Sequence, residues 1–267
     1  MVRYEREGMI GRIVLNRPEK RNSLNLRVWN SLGDAVSEAE KDTEARVILV
    51  KGEGKSFCAG LDLSPENEIL KFVRQPVTAA SKVEFFREVL HVQAIHTRLE
   101  RLTRPTIAVV QAHCLGAGLE LAVCCDIRLC DSQAQFALPE ARLGIITDVG
   151  GLQRLPRIVG PAKAREIAYR ARRFSAQEAL AMGLVNEVFE SVEELEKGAD
   201  QMAAEIAANA PLAVQGAKEV FLHHEIESID RSLEYNAARS SMVLPSEDMM
   251  EAFQAFLQKR DPVFKGK

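Results

Sequence analysis

No apolar run in this chain approaches the roughly 18 to 20 residues that a membrane-spanning helix needs, so no such helix is expected. Neither sign of charge is in excess. The 35 Lys and Arg stand against 38 Asp and Glu, a net charge of −3, which argues against a nucleic-acid binder. Cysteine is sparse and unpatterned: Cys58, Cys114, Cys124, Cys125 and Cys130 are odd in number and lack metal-ligand spacing. They read as reduced thiols of an apolar core, with a catalytic thiol at Cys58 or Cys114 as the minor alternative. A composition of 46% hydrophobic and 27% charged residues gives no case for disorder. The opening MVRYEREGMIGRIVLN is charged where a signal peptide would be apolar, and a cytoplasmic location is expected.

What is present is a strand and helix alternation. Residues 2–4 and 10–15 predict a hairpin around Glu7-Gly8. A helix capped by Asn22 or Ser23 follows, with Leu24, Val28, Leu32, Val36 and Ala39 on one face. Short extended runs at 47–50, 106–110 and 127–130, the first two apolar and containing β-branched residues, flank a long helix over 79–102, whose apolar positions include Val83, Phe86 and Leu90. Such alternation predicts an α/β fold with parallel strands. Beyond Pro156 helical periodicity dominates: 161–171, 175–182 with Ser175 and Glu178 spaced as a capping box, 192–210, 211–223, and 228–259 with a break near Pro245. Residues 1–200 are expected to form the core and 201–267 a helical region. Residues 64–82 contain Pro65 and Pro76 without a clear period, which predicts a mobile loop beside the site.

The chemistry concentrates between His113 and Pro156. A turn at Gly116-Ala117-Gly118 follows an apolar strand and opens a helix, so its unpaired N–H groups favour an anion. The spacing is not G-x-G-x-x-G and the turn comes late in the chain, which argues against a dinucleotide site. A second strand-end turn, Ala59-Gly60, leaves the N–H of Leu61 free to point into a cleft; its plain alternative, like that of the Gly116-Ala117-Gly118 turn, is a tight turn with no function. Three acids lie close by in sequence. Glu120 falls in the first helical turn, where the dipole stabilises a carboxylate; its plain alternative is a helix-start acid. Glu140 follows Pro139, and Asp148 sits among apolar residues and glycines, either as a proton-exchanging group or as a cap on the Gly150-Gly151 turn.

Phe57-Cys58-Ala59-Gly60-Leu61-Asp62, Gly116-Ala117-Gly118-Leu119-Glu120-Leu121-Ala122, Cys125-Asp126-Ile127-Arg128, Phe136-Ala137-Leu138-Pro139-Glu140 and Gly150-Gly151-Leu152-Gln153-Arg154-Leu155-Pro156 together resemble the crotonase, or enoyl-CoA hydratase/isomerase, superfamily. The likeness extends to SAQEALAMGLVNEV at 175–188 and to the tail from Phe256 to Phe264. The resemblance implies a spiral of ββα units with a C-terminal helical region that covers the site and assembles a homotrimer or hexamer. It implies that Leu61 and Ala117 donate backbone N–H groups to a thioester oxygen, Ala117 standing where glycine is commoner. Arg21, with Ala59 and Gly60, falls where that family contacts coenzyme A. Coenzyme A is part of the substrate, and no metal or redox cofactor is implied.

Within the superfamily the acids decide the reaction. The resemblance assigns water addition to glutamates matching Glu120 and Glu140. It assigns 3,5-dienoyl-CoA to 2,4-dienoyl-CoA isomerisation to acids matching Glu140 and Asp148. Thr147-Asp148-Val149-Gly150 looks like the dienoyl isomerases, whereas Glu120 departs from the aspartate usual there. Moving two conjugated double bonds takes a proton from C2 and returns one at C6, a span that two separated carboxylates can serve. The expectation is therefore a dienoyl-CoA isomerase, with a 2-enoyl-CoA hydratase as the alternative and a non-catalytic acyl-CoA- or RNA-binding member as the rival of another class. A nicotinamide dehydrogenase is a further rival.

Overall fold

The structure, a computed structural model, describes residues 1–70, 78–225, 227, 229–243 and 246–267. In chain order the elements are β1 (Val2–Glu7), β2 (Ile10–Leu15), α1 (Leu26–Lys41), β3 (Val47–Gly52), α2 (Ala79–Glu100), β4 (Thr106–Val110), β5 (His113–Leu115), α3 (Ala117–Ala122), β6 (Ile127–Asp131) and β7 (Gln135–Ala137). They continue as α4 (Gly151–Val159), α5 (Pro161–Arg170), β8 (Phe174–Ser175), α6 (Ala176–Ala181), β9 (Glu187–Phe189), α7 (Val192–Ala207), α8 (Pro211–His224), α9 (Ile229–Val243) and α10 (Glu247–Gln258).

Two sheets organise the core. The larger has the order β1-β2-β3-β4-β6-β9, antiparallel only at the β1–β2 hairpin. The smaller is β5-β7-β8, and a parallel bridge from Cys58 to Cys114 extends it, with a further bridge between Leu24 and Leu61. Each pass of the chain thus lays one strand in the large sheet and one extended piece in the second layer, and then enters a helix. This is the expected spiral of ββα turns.

Strands β3 and β4 at the centre of the large sheet are buried along nearly their whole length because both of their faces are covered. On one face Val47, Leu49, Ile107, Val109 and Leu129 meet Leu195, Ala199, Ala203 and Ala207 of α7, whose small side chains let the helix lie close. On the other, Ile48, Val50, Ala108 and Val110 join Leu32, Val36, Phe57 and Phe136. Helix α7 runs across residue 200, where the boundary between core and helical region was expected. In packing terms the helical region starts after Ala207.

Several local expectations need correction. Asn25 caps α1, accepting from the Val28 N–H at 3.0 Å, and Leu24 lies outside the helix on its bridge to Leu61. Asn22 is instead buried with φ 55°; its Oδ1 accepts from Arg17 N–H and its Nδ2 donates to the carbonyls of Glu53 and Ser56. On α2, Val83, Phe86 and Leu90 are exposed, while Val92, Ile95 and Leu99 are buried. Only the second half of that helix packs on the core. Helix α4, with Pro156 inside it, and the short strands β5, β8 and β9 were not anticipated. The 64–82 segment includes a 3-10 turn at Glu68–Leu70 and the start of α2, which Thr78 caps through a capping box with Ser81. Residues 71–77 and Pro245 lie outside the described residues.

Candidate active site

Successive spiral turns stack, so residues that follow the second-layer piece of each turn become neighbours. Leu61 follows the piece at Cys58, Ala117 follows β5, and Glu140 follows β7. Hydrogen bonds fix the register: Cys58 N–H donates to His113 O at 2.8 Å, Leu115 N–H to Cys58 O at 3.1 Å, and Gly116 N–H to Ala137 O at 2.8 Å.

The two expected N–H donors are left free by this register. In a parallel bridge a residue bonds the partners before and after its opposite number. Leu24 N–H donates to Gly60 O and Asp62 N–H to Leu24 O, each at 2.8 Å, which turns the Leu61 N–H to the other side. Ala117 is the first residue of α3, and its N–H is one of the helix's unpaired donors. The two turns touch directly. A Cβ on Gly60, whose φ is 89°, would lie 2.5 Å from Leu115 O and 3.6 Å from Ala117 N. Behind Leu61, the carboxylate of buried Asp62 accepts from Arg17 Nη1 at 2.6 Å and from Ser64 N–H at 2.9 Å. Burial opposes its ionisation, but Ser64 N–H and the Arg17 guanidinium hold its pKa below the usual range.

Glu140 opens a short 3-10 turn at Glu140–Leu143 and is 8% exposed. Its Oε1 lies so near Gly116 that a Cβ there would approach it to 2.5 Å. Gly116, with φ 52° and ψ −124°, therefore meets both a backbone and a space requirement. Thr147 Oγ1 donates to Glu140 Oε2 at 3.3 Å. Burial raises the Glu140 pKa, the negative charge of Asp148 adds to it, and Thr147 opposes it.

Glu120 is not a solvated helix-start acid. It is 2% exposed, and its Oε1 accepts from Gly151 N–H at 2.8 Å and Val149 N–H at 3.1 Å. Burial outweighs the dipole and those two donors, and with the charges of Glu140 and Asp148 it pushes the carboxyl to about 8. Glu120 thus takes the N–H of Gly151, the donor that a capping Asp148 would have used. The Asp148 side chain opens to solvent, yet the chain crowded around it raises its pKa by desolvation. The pKa of each of the three acids is thus raised above its ordinary value, chiefly by burial.

At the other end of the site Arg21 is exposed with φ 51°, and its carbonyl accepts from Ala59 N–H at 2.9 Å. His113, hydrogen-bonded to Ser56 Oγ at 3.0 Å, has its pKa lowered by burial and by the cations Arg173 and Arg21. Two arginines thus flank this end, and Arg173 carried no signal in the sequence. Arg17 was also missed, and Thr147 was noted only as part of a motif, because the bonds of Arg17 to Asp62 and of Thr147 to Glu140 are contacts that only the fold creates. The thiols belong to the core. All five cysteines are free and buried, and burial raises the Cys58 pKa to about 12 and that of Cys114 well above its ordinary value, which removes the thiolate that a nucleophile needs. Among the described residues no group of three His, Cys, Asp or Glu is placed to hold a metal, and no helix is long and apolar enough to cross a membrane.

The family described as enoyl-CoA hydratase/isomerase matches residues 5–267. Over 268 residues the chain is 37% identical to a protein of Arabidopsis thaliana named Delta(3,5)-Delta(2,4)-dienoyl-CoA isomerase, peroxisomal, covering 99% of this chain and 95% of that one. It is 35% identical over 257 residues to the short-chain-enoyl-CoA hydratase of Clostridium acetobutylicum, covering 96% and 94%. The crystal structure of enoyl-CoA hydratase from Bacillus anthracis superposes with a TM-score of 0.90 at 34% identity, covering 100% of this chain and 99% of that one.

Proposed function

Since the chain belongs to the enoyl-CoA hydratase/isomerase family, the crotonase superfamily of enzymes, we propose that it converts 3,5-dienoyl-CoA to 2,4-dienoyl-CoA. The N–H groups of Leu61 and Ala117 bind the thioester oxygen. Glu140, beside Ala117, takes the proton from C2; the electron pair moves onto the oxygen through the dienolate. Asp148 returns a proton at C6, so the double bonds shift with no net change of atoms or electrons. The observation that carries this reading is the division of labour among the acids. Two backbone N–H groups hold Glu120 through one oxygen, whereas among the described residues no backbone N–H beyond its own opposes the raised pKa of Asp148.

A second reading, hydration of a 2-enoyl-CoA, is favoured by one observation. Glu120 engages the turn through Oε1 alone, which leaves Oε2 for a water that Glu140 would help to protonate onto the α carbon. Incubation with 3,5-dienoyl-CoA and with 2-enoyl-CoA separately distinguishes the two: absorbance of the conjugated 2,4-diene appears in one case and the enoyl chromophore disappears in the other. No turnover of either, with CoA thioester still bound, would indicate a binding member of the fold. Binding of NAD without CoA would indicate a dehydrogenase.

Coenzyme A enters this proposal as part of the substrate, with Arg21, Ala59 and Gly60 at its end of the site and no metal or redox cofactor. The assembly proposed is a homotrimer or hexamer. Phe256 is 82% exposed and Leu257 79%, with Phe221 and Phe253 also exposed on the C-terminal helices, an apolar surface that a second copy would cover. Light scattering showing a concentration-independent monomer would overturn it. A cytoplasmic location is also proposed, and since the plant relative is named as peroxisomal, fractionation is its test.

A further inference from the structure

The turn that carries Asp148 and holds Glu120 is itself held by one face of α2. Gln93, His96, Thr97 and Glu100 recur at i, i+3, i+4 and i+7, the spacing of a single helical stripe. Gln93 Nε2 donates to Asp148 O at 2.6 Å, and His96 Nδ1 to Val149 O at 3.0 Å. Arg154, on α4, donates to both carboxylate oxygens of Glu100 at 2.8 and 2.7 Å and to Thr97 Oγ1 at 3.2 Å.

The geometry of a trans peptide gives these contacts a consequence for the site. Its C=O and N–H point in opposite directions across one rigid plane. The plane joining Asp148 to Val149 has its carbonyl on Gln93 and its N–H on Glu120 Oε1. Pinning the carbonyl therefore aims the N–H, and the plane leads directly from the Asp148 Cα. His96 pins the next carbonyl, so the following plane cannot rotate and carry Val149 with it. A carbonyl only accepts, which fixes His96 as the Nδ1–H tautomer. Among the described residues its buried Nε2 has no partner, so the bond to Val149 O is the polar contact its ring makes there, and burial together with the charge of Arg154 keeps it neutral, with a pKa lowered to about 4.

We propose that Gln93 and His96 are positioning residues of the active site: through the carbonyls of Asp148 and Val149 they set where the Asp148 carboxylate stands and hold the Glu120 carboxylate in place. The proposal rests on the reading of these acids as proton-handling groups. Neither residue is among the groups proposed to hold the thioester, so binding is expected to stay intact and turnover is what they govern. Gln93, at the Asp148 carbonyl, weighs more on the reaction that uses Asp148, and His96 supports both acids.

The test compares His96→Leu, His96→Asn and Gln93→Leu, each by kcat and KM on both thioesters and by amide hydrogen exchange at Val149 and Gly151. Leucine keeps the bulk of the ring and removes the donor, whereas asparagine places an N–H₂ near the Nδ1 position. His96→Leu is expected to lower kcat about tenfold or more with KM within about twofold, to speed exchange at both amides, and to be largely rescued by His96→Asn. Gln93→Leu, at a half-buried position that tolerates the change even if His96→Leu fails to fold, is expected to lower isomerisation kcat about tenfold and hydration much less. Unchanged kcat in Gln93→Leu, or a loss in His96→Leu that asparagine does not rescue, would overturn the positioning role. If the parent turns over neither thioester, the functional reading fails by itself, and the exchange rates still report whether these side chains hold the turn: unchanged protection at Val149 and Gly151 overturns the proposal.

Discussion

The two halves of the site are built by different means. The turns at Gly60 and Gly116 are set by backbone: strand register frees the N–H groups of Leu61 and Ala117, and two glycines let the turns touch. The acid segment from Glu140 to Gly151 is set by side chains arriving from elsewhere, with Thr147 on Glu140, Glu120 on two N–H groups, and Gln93 and His96 on two carbonyls. A site of this kind separates binding the thioester oxygen, which every reaction of the enolate shares, from proton placement, which differs between reactions. Substitutions in the first half should strike all acyl-CoA chemistry alike, and substitutions in the second should discriminate.

Glu140 is the exception that tests this division, because it packs on Gly116 and so belongs to both halves. Glu140→Gln keeps the shape and removes the base, and turnover of both 3,5-dienoyl-CoA and 2-enoyl-CoA is expected to fall by about 10²- to 10⁴-fold. Steady-state rates within about twofold of the parent would remove it from the chemistry. Asp148→Asn is expected to cost isomerisation on the order of 10²-fold or more while hydration changes by only about threefold. Equal, small effects on the two would leave hydration as the better account. Next in size is Gly60→Ala. The added methyl meets Leu115 O at 2.5 Å at a φ of 89°, so the two turns must part, and both reactions are expected to drop together by about 10²- to 10³-fold. Unequal losses would mean that the oxygen site is not shared.

The same contrast explains what the sequence made legible. Strands at 47–50 and 106–110 announce themselves because burial on both faces demands nearly unbroken apolar runs. The capping box at Ser175 and Glu178 was readable because its logic is local. The strands β5, β8 and β9 have two or three residues each, too few for any period. Helix α4 hid behind Gly150-Gly151 and Pro156, which read as breakers, although a carboxylate from another element caps its start. The turns at Leu61 and Ala117 and the acids Glu120, Glu140 and Asp148 stood out by their glycines and apolar neighbours, and a family resemblance gave them their roles. What spacing alone could not give were partners such as Gln93 and His96, 55 and 53 residues away from the carbonyls they hold. Their pattern on α2 is that of an ordinary half-polar helix face until the fold brings the turn against it.

The smallest expected effect on isomerisation belongs to Glu120, and its signature is in stability. Its carboxyl is raised by burial from an ordinary 4.5 to about 8, with the charges of Glu140 and Asp148 contributing. The unfolded chain loses this proton near 4.5, whereas the folded chain keeps it until about 8, so the folded state binds more protons in between and loses stability as pH rises through that window. The slope for one such group is about 1.4 kcal/mol per pH unit. Glu120→Gln cannot ionise and keeps an oxygen to accept from Val149 and Gly151. Its stability is therefore expected to gain on the parent's steadily from about pH 5 to pH 8, by a few kcal/mol at most, and to track it below pH 4.5. Thermal melts across that range check the sign. A difference that does not vary with pH would mean that Glu120 is ionised in the folded protein at neutral pH, and that the N–H groups of the 149–151 turn, held by α2, outweigh its burial.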